Sequence, residues 1–456
     1  MSNPQFLIFV KQIPKEMLKK TLLLISIFYF QVSQSQSLYF PPTTGTAWDT
    51  TSMESLGWCR DKVAPLYSFL ETRNSKAFIV LKDGKIVIEK YFGKFTKDSL
   101  WYWASAGKTL TSFAVGLAQE DGYLKITDTS SKYLGKGWTK ETLAKENMIT
   151  IRNQLTMTTG LDDGVADNHC TLDSCLKYKA DAGTRWAYHN GPYTMLDKVI
   201  ETSTGKNLNT YLSTKLKTPT GMNGLFLKID YDNVYISNAR SFARFGLLML
   251  NKGDWNGTKI MKDQTYFNQM ITPSQTLNNS YGYLWWLNGK KNFMVPGLQL
   301  VLPSSLNPNS PTDMYSAMGK NGQLLNIIPS QNLVVIRMGN APNSSEVPFL
   351  MNDTIFIKLK AVMCITTGIA NPKNKTNNYR SYPNPANDFV TIENQKSTTI
   401  KKIVMTDIQG KIVLDLKLMN TVSNYKIDIS DKKSGVYYVE VYGEKGLEFR
   451  QCLLKK

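Results

Sequence analysis

Ser105 and Lys108 lie three residues apart at the head of an apolar run, Leu110, Phe113, Ala114, Leu117 and Ala118, with the spacing of a buried helix. Residues i and i+3 are neighbours on a helix, so the pattern predicts a hydroxyl beside an amine at a helix N-terminus. A serine hydroxyl is a weak nucleophile until a base takes its proton. A lysine can be that base when burial lowers its pKa and leaves it neutral part of the time. Backbone N–H groups at the helix start favour developing negative charge. The chemistry open to this pair is acyl transfer through a serine ester. The plainer reading makes Ser105 a helix cap and Lys108 a solvated side chain.

Two further stretches extend that chemistry. Tyr188-His189-Asn190 follows a loop and precedes a helix, and Lys320-Asn321-Gly322-Gln323 opens a strand. Between two lysines the Tyr188 phenolate would be favoured, so Tyr188 could take the Ser105 proton and pass it to a leaving group. Lys320 would steady charge, and Asn190 would hold a substrate amide or carbonyl. Gly322 would let a substrate approach the strand closely, and the N–H groups of Gln323 and Ser105 would form an oxyanion hole. His189 reads as structural. His169 with Asp162, Asp163, Asp167 and Asp173 fits no metal-loop spacing and reads as a solvated acidic loop near the cleft entrance. A Ser-His-Asp triad on these histidines lacks a Gly-x-Ser-x-Gly elbow. Trp101, Tyr102, Trp103, Trp186, Trp285 and Trp286 line the cleft or belong to the core.

The elements that must position these residues follow from the rest of the chain. Helical spacing covers Met53 to Leu70. Asp83-Gly84 between two apolar runs predicts a hairpin of Ala77–Leu81 with Lys85–Tyr91. A helix capped by Thr150 runs to Met157, residues 162–186 are loop, and helices cover Tyr193–Thr204 and Asn238–Leu250. Tyr283–Trp286 reads as a strand, Gln323–Ile328 with Leu333–Met338 as a hairpin, and Pro348–Val362 as a last helix. Strands from both ends of this region imply an α+β fold, an antiparallel sheet flanked by helices with an all-helical insertion. Beyond a Lys/Asn-rich linker, short alternating strands at 389–392, 402–406, 411–414, 425–428 and 436–441 predict a small C-terminal β-sandwich.

With 456 residues the chain has room for a large domain and a smaller one. The expected division is a signal peptide at 1–36, a catalytic domain at 37–370, a linker at 371–380 and the sandwich at 381–456. Lys19-Lys20 before the apolar stretch Thr21–Phe30 supports the leader, and a start at Met17 would make residues 1–16 an extension. No integral membrane span is expected after its removal. The 54 Lys and Arg against 36 Asp and Glu give a formal charge of +18. The lysines are scattered, with no basic run interleaved with aromatics of the kind that binds nucleic acid. An exported chain suits a local Cys170–Cys175 disulfide and a Cys59–Cys364 tie, with Cys452 left over. Two histidines and no CxxC pair argue against a structural zinc.

On Ser105/Lys108, Tyr188/Asn190 and Lys320/Gly322, in that order, the chain resembles the serine β-lactamase and DD-peptidase superfamily in its class C-like branch. The segments Thr150–Leu161 and Ala243–Leu250 resemble it too, and the resemblance spans roughly residues 40 to 365. It implies a β-lactamase/transpeptidase-like fold, a Ser105 acyl-enzyme with Lys108 and Tyr188 as base and acid, and no cofactor. The branch includes esterases, amidases such as 6-aminohexanoate-oligomer hydrolases, D-peptidases and β-lactamases, so a small-molecule or peptide substrate is implied. The alternative on the same fold is a non-catalytic peptidoglycan- or peptide-binding protein, and the tail alone would suit a surface adhesin. Asn321 departs from the Thr or Gly common in the third motif. Tyr382–Asp388, Asp407–Lys411 and Ser434–Tyr437 resemble the C-terminal sorting domain of type IX secretion substrates. That resemblance implies the type IX machinery as a partner and a secreted or cell-surface location, reached through the periplasm.

Overall fold

The computed structural model describes residues 38–342, 348–364, 379–395, 399–407, 411–420, 424–444 and 446–455. The expected leader and most of the expected linker lie outside them. The chain divides into two compact units between Ile365 and Thr366.

In the first unit Asp83 and Gly84 hold φ of 51° and 83°. That is the left-handed pair a two-residue hairpin needs. They join β1 (Ser75–Lys82) to β2 (Lys85–Tyr91). Phe78, Ile79, Val80 and Leu81 are all buried, the mark of a strand covered on both faces. The expected long helix before β1 is shorter. Gly57 turns left-handed, Cys59 is extended, and the α-helix α1 occupies only Val63–Thr72.

A short strand β3 (Trp101–Tyr102) leads into a 3-10 turn, Ala104–Gly107, and then α2 (Lys108–Glu120), which is buried from Lys108 to Ala118. Thr150 caps α3 (Ile151–Leu155) with a reciprocal Asn153 bond. That helix stops short of the expected end because Met157 is left-handed. α4 (Asn190–Thr204) starts earlier than expected, so Asn190 is its first residue. Next comes a hairpin absent from the sequence reading, β4 (Leu225–Ile229) and β5 (Asp232–Ser237), which forms a three-stranded sheet with β3. Asn238 caps α5 (Ala239–Leu250) by accepting the Ser241 N–H.

The strand expected at Tyr283–Trp286 reduces to β6 (Trp286–Leu287), because Leu284 has φ +63° and its N–H donates to the Leu155 carbonyl. β7 (Tyr315–Gly319), β8 (Gln323–Ile328) and β9 (Leu333–Gly339) complete a six-stranded antiparallel sheet in the order β2-β1-β9-β8-β7-β6. α5 packs on β9, β8 and β1, whereas α1 packs on β1 and on α6 (Phe349–Val362). The last helix is tied to the start of the unit by a Cys59–Cys364 bridge and by the Cys59 N–H on the Val362 carbonyl. Cys170 and Cys175 form the local disulfide. The α+β architecture, with helices covering an antiparallel sheet, is the one the sequence implies.

The second unit is a small sandwich. One sheet holds β10 (Tyr379–Tyr382), β11 (Phe389–Asn394) and β14 (Asn424–Asp428). The other holds β12 (Ile400–Asp407), β13 (Ile412–Asn420), β15 (Gly435–Gly443) and β16 (Gly446–Lys455). Val390, Ile392 and Ile427 from the first sheet meet Ile403, Met405, Val439 and Val441 from the second in one core. Residues 379 and 380, expected in the linker, already belong to a strand. The Cys452 side chain lies outside the described residues. No helix among the described residues is long and apolar enough to cross a membrane.

Candidate active site

Ser105 sits inside the 3-10 turn that feeds α2, and Lys108 is the first residue of that helix. The Lys108 ammonium donates to Ser105 Oγ at 3.1 Å. The lysine is 4% exposed, and its Nζ lies 4.2 Å from the Tyr193 ring centre and 5.2 Å from that of Tyr188. Burial brings its pKa down from the ordinary 10.5 to about 7, against the upward pull of Asp232 and Asp197. Near neutral pH this amine is therefore a base in part of the population.

Tyr188 meets the same serine from a different segment. A hydrogen bond with Ser105 favours its phenolate, but burial outweighs it and drives the phenol well above its usual range. This corrects the expected phenolate. Lys108 faces the ring of Tyr188, and desolvation decides the protonation state. Tyr188 is clamped by Trp286, stacked at 5.9 Å, and by Trp186 and Tyr281 edge-on or tilted. Trp186 and Trp286 thus back the site, Tyr102 lines it, and Trp103 and Trp285 are fully buried core.

The third motif is divided by the structure. Lys320 lines the same cleft as Ser105 and Lys108. Gly322 points elsewhere: it has φ +76°, and an added Cβ would sit 2.7 Å from Arg337 Nη1. The Gln323 side chain is buried, donating to the Gly339 carbonyl at 2.7 Å and accepting its N–H at 3.0 Å. The glycine that brings a strand against the serine is Gly319, at the end of β7. A Cβ there would lie 2.5 Å from the Trp103 carbonyl and 3.1 Å from the Ser105 nitrogen. This corrects the expected close approach at Gly322. The sign available in the sequence is a glycine ending a run of buried strand residues.

Asn190 opens α4 at the cleft wall. Its backbone N–H and its Nδ2 both donate to Asn168 Oδ1, at 2.9 and 2.8 Å. Its own Oδ1 is buried and accepts no hydrogen bond from the described residues. His189 is buried, and desolvation lowers its pKa to about 4, which keeps it neutral. The acidic loop is stitched to basic side chains: Asp163 to Arg185 at 2.5 Å, Asp162 to Lys179 at 3.6 Å and Asp173 to Lys140 at 3.7 Å. His169 leaves that group and enters the cleft wall. Its Nδ1 is 2.8 Å from Asp232, and its Nε2 is 3.3 Å from Asn190 Nδ2. Burial alone would raise the Asp232 carboxyl, but the hydrogen bond and charge of His169, with Lys108, hold it below the usual range. Asp232 was not legible as a site residue, although a turn between apolar runs at 225–229 and 234–236 is a hairpin signal.

Together Ser105, Lys108, His169, Asp232 and Lys320 open into one cleft of about 340 Å³ with Tyr102, Tyr193, Ile229, Val234 and Ile236. Among the described residues, no His, Cys, Asp and Glu side chains group as metal ligands.

A covered antiparallel sheet, a helical insertion and a serine beside a buried lysine define the serine hydrolases that share the β-lactamase fold. A Beta-lactamase family model matches residues 70–360, and the chain belongs to that family. A Secretion system C-terminal sorting domain model matches residues 380–455, which marks the chain for export by the type IX machinery to the outside or the cell surface. The "Putative penicillin-binding protein PbpX" of Bacillus subtilis is 26% identical over 159 residues, 32% of this chain. That match spans 39% of the length of the relative. Among solved structures, a "Putative 6-aminohexanoate-dimer hydrolase from Bacillus anthracis" superposes with TM-score 0.54 at 18% identity, over 73% of this chain and 92% of that one. A "putative beta-lactamase from Bacteroides dorei DSM 17855" gives TM-score 0.53 at 16% identity, over 67% and 99%. At these identities the structures share the fold.

Proposed function

We propose that this protein is an exported hydrolase that cleaves an ester or amide bond through an acyl-enzyme on Ser105. The observation that carries the proposal is the 3.1 Å contact from a buried Lys108, its pKa brought to about 7, to the serine hydroxyl. Neutral Lys108 takes the Ser105 proton as Oγ attacks the substrate carbonyl. Tyr188, kept as the phenol, relays a proton to the leaving group and regains one from the ammonium of Lys108. The oxyanion falls to the Ser105 N–H and to the backbone at Gly319–Lys320, which lies against the serine turn, rather than to Gln323. Lys320 adds positive charge to the cleft, and Asn190, its Oδ1 buried, holds the cleft wall through its Nδ2 contact with His169 and does not itself face the substrate. Gly322 serves the turn that carries Lys320.

Purified protein should turn over a chromogenic ester and gain one acyl or phosphonyl group on Ser105, read by intact mass. Ser105→Ala should lose both. Turnover by Ser105→Ala at the wild-type rate excludes this mechanism. A wild-type protein that takes up no label from any active-site serine reagent favours a binding protein instead.

A further inference from the structure

The three-stranded sheet β3-β5-β4 has a face that breaks the usual rule for solvent-facing strands. Opposed residues of an antiparallel pair share a face, and the register pairs Tyr102 with Ile236, Leu225 with Ile236, Leu227 with Val234 and Ile229 with Asp232. One face therefore carries six apolar side chains and a single charge, Asp232, at its end. The opposite face buries Phe226 and Tyr235 against Trp103. A sheet with one buried face normally turns polar groups to water on the other. Here Leu225, Leu227 and Ile229 remain 42%, 41% and 50% exposed. Scattered apolar residues on a surface are ordinary, but a contiguous patch marks a contact surface. This patch is continuous with the cleft: Tyr102, Ile229, Val234 and Ile236 line the same space as Ser105. Leu225 and Leu227 carry it outward on the edge strand.

We propose that the β3-β5-β4 face is the seat for an apolar arm of the substrate, so that the preferred substrates are esters or amides bearing a linear hydrocarbon chain. The proposal rests on the reading of Ser105 as the acylated residue. The arm leaves the scissile bond beside Tyr102, crosses β5 over Val234 and Ile236, and ends on the outer leucines. Two inter-strand spacings give it about 10 Å of floor. The His169–Asp232 pair closes one end of the seat with charge, which turns the chain toward the leucines.

The experiment compares kcat/KM for p-nitrophenyl alkanoates from acetate to decanoate, below their micellar concentrations. A parallel series of acetates of straight-chain alcohols tells an acyl-side arm from an alcohol-side arm. One series should climb about two- to fourfold per methylene, the upper figure being full burial of a CH2, and level off once the floor is spanned. In the double variant Leu225→Ser/Leu227→Ser, the kcat/KM ratio to wild type should fall at least tenfold between the two-carbon and eight-carbon members of that series. Melting curves of the variant guard against misfolding. Flat series in wild type, with Ser105 still acylated, overturn the proposal and leave the acyl-enzyme reading intact. A slope unaltered in the double variant also overturns it, since the arm then lies elsewhere. Absence of turnover together with absence of Ser105 labelling overturns the acyl-enzyme reading first, and the arm with it.

Discussion

The state of the Lys108 amine can be tested by pH. With a pKa of about 7, the neutral fraction is about one half at pH 7 and about one hundredth at pH 5. A lysine at its ordinary 10.5 would be neutral in only about three molecules in ten thousand at pH 7. Burial thus raises the supply of base roughly a thousandfold at neutral pH. If Lys108 is the base, kcat/KM for a neutral ester rises tenfold per pH unit below 7 and levels off above it, because that ratio reports the free enzyme. The inactivation rate by an uncharged phosphonate should follow the same curve. Asp232 is the larger of the two carboxylates that pull the lysine upward. In Asp232→Asn that pull is gone, and the inflection moves below 7. Lys108→Arg replaces the base with a group that stays charged, and should cost about 10²–10⁴ in kcat/KM. An inflection above pH 9, or one that rises in Asp232→Asn, refutes the reasoning.

Other substitutions separate the remaining parts. Tyr188→Phe should lower kcat by about 10²–10⁴ while Ser105 still accepts a phosphonyl group with a good leaving group, because the phenol relays a proton to poor ones; equal losses with good and poor leaving groups would deny it that role. Gly319→Ala forces a Cβ to 2.5 Å from the Trp103 carbonyl, so turnover and melting temperature should both fall, whereas a wild-type melt would show that β7 can draw back. Cys59→Ser, which opens the tie between the first and last helices of the large unit, should cost about 2–4 kcal/mol in chemical denaturation.

Much of the large unit was legible because its signals are local. Asp83-Gly84 sets a hairpin by backbone preference alone, and the Ser105–Lys108 pair needs only one turn of helix to meet. Tyr188 was legible as a residue type in a motif, but its protonation was not. The aromatic clamp that desolvates it joins Trp186, two residues away in the chain, to Tyr281 and Trp286, which only the fold brings to it. The third motif was misplaced by a few residues for a related reason. Gly319 and Gly322 both punctuate the β7–β8 connection, and only the three-dimensional neighbours, Trp103 in one case and Arg337 in the other, tell which glycine meets the serine. The β4–β5 hairpin escaped notice because its outward face is apolar, which erases the period-2 alternation by which half-buried strands are recognised. The tail strands showed that alternation clearly, and there the differences are confined to strand ends and two unforeseen strands, β10 and β16.

The lysine beside the nucleophile gives up its proton near neutral pH because it is dry, against the pull of Asp232 and Asp197. Water admitted around α2 would restore its proton and silence the serine before the sheet behind it came apart. On heating, hydrolysis should therefore fade ahead of the cooperative melt, and the temperature at which the enzyme stops working measures how tightly this one interior seam is sealed.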